Sequence, residues 1–222
     1  MSWTVYAAIF AAFFLTHSVP VRPAVKSRVI RRLGARGFGL IYSALSVMML
    51  ALLVWGAGEA PYLQLWPQLP WQRQTAHLGM LAVCLILAFA IGRPNPFSFG
   101  GARNDAYDPH RPGITRWMRH PVLLALALWA GVHLLPNGDL AHVLLFGVLG
   151  AFALGGRALV DRRKRRDLGA QTWDRLDTAR KSGPWLVMPS SWTGFVMRGL
   201  IGVVVFAVLL WAHPFVIGVP AL

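Results

Sequence analysis

The sequence predicts an all-α fold: a polytopic integral membrane helix bundle of about six transmembrane helices, with both termini periplasmic. Three observations carry this expectation. Hydrophobic residues fill 56% of the 222 positions and charged residues only 14%, against roughly 25% charged in an ordinary soluble domain. Six windows contain no Lys, Arg, Asp or Glu: residues 1–21, 37–58, 74–92, 120–138, 140–156 and 199–222. About 20 apolar residues suffice to cross the hydrocarbon core as a helix, and each window is near that length. The third observation is charge placement. Of the 22 basic residues, 21 lie in the 1–2, 3–4 and 5–6 connections and only Arg73 lies on the other side. By the positive-inside rule the three basic connections face the cytoplasm and both termini face the periplasm. In a polar protein a net charge of +14 would suggest nucleic acid. In a chain this apolar it is a topology label, and no nucleic-acid partner is expected.

Taken in order, the first window has no basic n-region before Trp3 and no cleavage site before the basic stretch at Arg22, so it is read as a retained helix and not a signal peptide. The second follows six basic residues between Arg22 and Arg36. The third holds the single cysteine, Cys84, which can form no intramolecular disulfide. Arg93-Pro94-Asn95-Pro96 closes it, since two prolines forbid helix continuation. The fourth opens at Pro121, whose preset φ and missing N–H suit a first helical position. Pro136-Asn137-Gly138-Asp139 is a tight turn of breaker residues, so the fourth and fifth helices are expected to be antiparallel neighbours. Between the fifth and sixth windows, residues 161–181 are rich in Arg with Trp173 and Leu176 interleaved. That pattern suits a helix on an anionic lipid surface, or a solvated basic loop that only fixes topology. No repeat or linker divides the chain, so residues 1–222 are read as one transmembrane domain.

Five of the seven histidines, His17, His77, His120, His133 and His142, lie in or at the ends of the windows. Ionisable groups there are costly and point first to function, although an imidazole can also serve as an interhelical hydrogen-bonding residue. Zinc is poorly supported without Cys ligands or an H-E-x-x-H spacing, and a Cys-x-x-Cys-His attachment site is absent. The remaining chemistry is a non-covalently held haem with imidazole ligands from different helices. Depth allows two pairs. His17 and His120 fall toward the cytoplasmic face, while His77 and His133 fall toward the outer face. His133 is 13 residues beyond His120, about 20 Å along a straight helix. Arg119 beside His120 offers a guanidinium to an anionic group, either a lipid phosphate or a haem propionate.

The ordered set His17-Ser18, Tyr42-Ser43, Leu45-Ser46, Arg93-Pro94-Asn95-Pro96, Gly113-Ile114, Arg119-His120-Pro121, Leu128-Trp129, His133, Asn137-Gly138-Asp139 and Phe146-Gly147 resembles the NnrU family of bacterial membrane proteins over nearly the whole chain. The resemblance implies a bacterial cytoplasmic (inner) membrane location and an association with denitrification and nitric oxide metabolism, with no settled activity. More distantly, His17-Ser18 and the run from Arg119 through Trp129 to His133 are similar to zeta-carotene isomerase. That similarity implies haem b as cofactor, with His17 and His133 as its metal ligands.

Arg119, His120 and His77 stand beside that pair as further cofactor-binding candidates. Arg-His-Pro before an apolar helix is also similar to membrane methyltransferases, but the paired acidic residues that family uses near a final helix end are not evident. Two classes of function follow. One is a haem-binding accessory or sensor protein with a small gas as ligand. The other is a redox-gated cis–trans isomerase acting on a polyene, with a haem-free membrane assembly factor as a third possibility. The lipid bilayer, and anionic lipids at the cytoplasmic face, are the expected partners.

Overall fold

The computed structural model describes residues 1–186 and 188–220, so the last two positions of the 199–222 window lie outside the described residues. Among the described residues seven α-helices follow one another: α1 (Trp3–Ser18), α2 (Pro23–Glu59), α3 (Pro70–Ala90), α4 (Pro121–Leu134), α5 (Leu140–Leu168), α6 (Ala170–Ser182) and α7 (Trp192–Ile217). Two 3-10 turns, Asn104–Ala106 and Gly113–Arg116, lie between α3 and α4. No strand occurs among the described residues, and one isolated bridge pairs Gln64 with Asp139.

Every apolar window falls on a helix, but helix length and window length differ. Four helices, α2, α3, α5 and α7, are long and apolar enough to cross a membrane. The 16 residues of α1 and the 14 of α4 rise about 24 and 21 Å, short of a ~30 Å hydrocarbon core. Their windows are longer because they include residues 19–21 and 135–138, where Pro20 and Pro136 stand in turns. The basic connections are also more helical than composition suggests. α2 begins at Pro23, upstream of most of the Arg22–Arg36 charge, and is broken only at Gly34 (φ 72°, ψ 169°), a conformation open to glycine. α5 continues past Gly156 through the arginine run to Leu168. The 161–181 segment is thus the end of α5 followed by α6, and not a loop.

Residues Met1–Trp66 with Gly138–Leu145 form one compact unit, and Pro67–Asn137 with Phe146–Leu222 form a second. In the first, α1 buries Tyr6, Ile9 and Phe13, spaced to share one helical face. They pack on α2, which buries Met49, Leu53 and Gly56, and a Cβ on Gly56 would lie 3.1 Å from the Ile9 side chain. The Tyr6 hydroxyl donates to the Ala141 carbonyl at 2.9 Å, which satisfies a buried polar group.

In the second unit α3 packs against both α4 and α7. Gly79 makes the first crossing possible, since a Cβ there would stand 2.3 Å from Val132 Cγ1. α4 and α5 run antiparallel as neighbours: Trp129 and His133 meet Phe146, Ala130 meets Gly150, and Leu123 meets Gly156. The outer face of α7 leaves Val204, Trp211 and Phe215 at 59%, 70% and 75% exposed. Apolar surface on that scale is unstable against water and is at rest in lipid.

Candidate functional site

The connection from Arg93 to Arg119 folds around Asn95, which a simple helix stop leaves unexplained. Asn95 is 3% exposed, and its amide donates to the Arg119 carbonyl at 3.0 Å. Its own backbone N–H donates to Asn104 Oδ1 at 2.8 Å, and its Oδ1 accepts from the Phe97 N–H at 3.0 Å. Phe97 is fully buried and meets the Tyr107 and Trp173 rings edge-on, so α6 is held against the same loop.

On this base stands a charge cluster at the start of α4. Arg119 binds Asp161 of α5 at 2.6 Å and Asp177 of α6 at 3.0 Å. His120, 4% exposed, engages both ring nitrogens: Nε2 with Asp161 at 2.8 Å and Nδ1 with Ser98 Oγ at 3.1 Å. A carboxylate can only accept, so Nε2 carries the proton toward Asp161. Arg180 binds Asp177 at 2.7 Å and donates to the Thr115 and Arg116 carbonyls at 2.7 and 2.9 Å, and Arg116 donates back to the Arg180 carbonyl. Burial works to raise the Asp177 carboxyl, but hydrogen bonds from Lys181, Arg180 and Arg119 outweigh it and hold the pKa at about 2. The Arg119 guanidinium, expected to meet a phosphate or a propionate, therefore meets two carboxylates of the chain itself.

The other histidines fall in different settings. In the first unit His17 Nδ1 donates to the Phe13 carbonyl at 2.9 Å, with the Phe13 and Tyr42 rings 4.1 and 5.9 Å away. In the second unit His133 repeats this pattern. Its Nδ1 donates to the Trp129 carbonyl at 2.8 Å, and the Trp129 and Phe146 rings stand 5.2 and 5.3 Å away. A carbonyl cannot donate, so in the neutral ring the lone pair of each imidazole lies on Nε2, the state in which metal-bound histidines are commonly held. His133 and His77, one of the two pairs expected from depth, line one cavity of about 130 Å³ together with His213 and Asn137. His142 Nδ1 pairs with Asp139, three residues earlier, at 2.8 Å. Among the described residues no group of three His, Cys, Asp or Glu side chains is placed to hold a metal ion.

Sequence reasoning missed Asp161, Asp177 and Ser98. Asp177 had a local signal, because Arg180 and Lys181 follow it at the i+3 and i+4 spacing of helical ion pairs. Asp161 had none, lying 41 residues from His120.

Set against known proteins, the chain finds no match among curated proteins or solved structures. The family model described as NnrU protein matches it over residues 5–221. With that match spanning almost every helix described above, the chain belongs to the NnrU family.

Proposed function

We propose that this multi-pass membrane protein binds haem b through intramembrane histidines, His17 and His133 being the candidate ligands, and acts as an accessory or sensor in bacterial nitric oxide and denitrification metabolism. The observation that carries the reading is that His17 and His133 each tie Nδ1–H to the carbonyl four residues back in their own helix. That donor set fits an iron held by neutral imidazoles: the backbone bond orients the ring and raises its basicity. A haem, when bound, supplies a coordination position at which nitric oxide can exchange. The cavity beside His133, about 130 Å³, is below the ~300–1,000 Å³ of pockets that enclose drug-sized ligands. It suits a diatomic gas better than a polyene. A porphyrin is also larger than this cavity, so loading displaces side chains around His133.

In this reading α1 and α4 cross the membrane together with the four longer helices, giving six spans in one domain of the inner membrane with both termini periplasmic. The arginine-rich ends of α2 and α5 then face the cytoplasm, as the positive-inside rule requires.

Absorption spectra of protein purified in detergent from haem-replete cells test the cofactor. A Soret band is expected in the unmodified protein and in His77→Ala and His120→Ala, and its loss in His17→Ala and His133→Ala. Absence of the band from the unmodified protein, or its loss in His77→Ala and His120→Ala alone, overturns the assignment. Topology is read separately with a membrane-impermeant maleimide in a Cys84→Ala background: Ser2→Cys should label in intact spheroplasts, and Arg103→Cys only after lysis.

A further inference from the structure

Part of the positive charge of the 161–181 run is neutralised by the protein itself, with Arg165 on Asp174 and both Arg180 and Lys181 on Asp177. Positive charge also collects elsewhere. A cleft of about 390 Å³ opens between α3, the 3-10 turn at Gly113–Arg116 and the start of α7, and three arginines, Arg93, Arg111 and Arg198, line it. None of the three has a carboxylate within 4.0 Å among the described residues. Arg93 acts on Arg198 as a neighbouring like charge. Arg198 is fixed by the end of α3, donating to the Ala88 and Ile91 carbonyls at 2.5 and 3.2 Å. Apart from Ser190 and Ser191 the rest of the lining is mainly apolar, with Phe89 and Phe195 packed ring to ring at 5.0 Å and Trp117 nearby.

Guanidinium groups without a carboxylate partner, beside an aromatic wall, form a site with two chemistries. Like charges gathered without a counter-ion are stabilised by an anion, and Arg meets phosphate oxygens with parallel hydrogen bonds. The aromatic wall asks for an acyl chain, and the volume lies within the range of ligand-sized pockets. The mouth is at the cytoplasmic end of α3, in the topology that the basic connections set. A basic pocket between membrane helices on that side is a recognised form of headgroup site.

We propose that this cleft binds one acidic phospholipid, its phosphate among Arg93, Arg111 and Arg198 and one acyl chain along Phe89 and Phe195. The assignment is independent of any haem.

Native mass spectrometry of the detergent-solubilised full chain, titrated with phosphatidylglycerol and with phosphatidylcholine, tests it. One phosphatidylglycerol should be retained about tenfold more tightly than phosphatidylcholine, ~1.4 kcal/mol. The double variant Arg93→Gln/Arg111→Gln should lose that preference, while Arg103→Gln, a loop arginine outside the cleft, should keep it. Equal retention of the two lipids by the unmodified protein, or an undiminished preference in the double variant, overturns the proposal. So does displacement of the lipid by equimolar inorganic phosphate, which would make the site one for the free anion. Because the first comparison uses unmodified protein, the proposal stays testable if a variant folds poorly.

Discussion

The two ends of α4 carry the chain's two most informative histidines, and they are built in opposite ways. At the N-terminal end His120 is buried and has both ring nitrogens engaged, one by Asp161 and one by Ser98. At the C-terminal end His133 uses one nitrogen on its own helix, and no hydrogen bond to Nε2 is found among the described residues. An imidazole in an apolar helix is therefore not by itself a sign of a ligand site. What separates the two is the number of lone pairs that local bonding leaves over. His120 is saturated and acts as part of a latch, whereas His133 faces a cavity with a nitrogen in reserve.

The strongest way to break this contrast is to remove the shared carboxylate. Asp161→Ala leaves Arg119 and His120 without their common partner, and loss of about 2–4 kcal/mol is expected, somewhat below a fully buried pair because Arg119 and Asp161 are each 25% exposed. Unfolding in mixed SDS micelles measures it. Unchanged stability would mean that the cluster is no latch. Gly79→Val attacks the packing behind the His133 end by forcing a Cβ into Val132, with an expected cost of about 1–3 kcal/mol in the same assay.

Acid titration reads the latch without truncating it. The folded pKa of Asp177, about 2, lies below its ordinary 3.8. Its contribution is complete well above pH 4 and is lost as the pH falls toward 2. Stability of the unmodified protein should decline across that interval, and in Asp177→Asn that part of the decline should be missing. The mildest effect sharpens the contrast most. His133→Ala should change stability by less than about 1 kcal/mol, since no interhelical hydrogen bond is lost. His120→Ala should cost about 1–3 kcal/mol, because it leaves Ser98 and Asp161 with one fewer partner in a buried setting. Equal losses in the two variants would erase the distinction.

Much of the architecture was legible because it rests on local chemistry. Pro121 and the Pro136 turn mark helix ends. Apolar windows mark helix bodies, and the one-sided arginines mark the loops. Helix length was not legible from charge alone, since residues such as Val19 and Leu135 are apolar without being helical. The arginine run after Gly156 admits either a surface helix or a solvated loop by composition, and it carries α5 on to Leu168 and is followed by α6. At the candidate site, the tautomers of His17 and His133 depend only on a carbonyl four residues back and follow once the helices are known. The partners of Arg119 depend on three-dimensional closure, and spacing in the chain carries no trace of Asp161.

That closure has a consequence for how the protein is made. Arg119 meets Asp161 across 42 residues and Asp177 across 58, so the ribosome delivers the cations well before the anions that neutralise them. At a synthesis rate of ~5–20 residues per second, Arg119 and His120 wait for seconds at the membrane before α6 emerges. A chain truncated ahead of Asp177 lacks both the closing carboxylate and α7. The ion cluster is therefore complete only once α6 has been made.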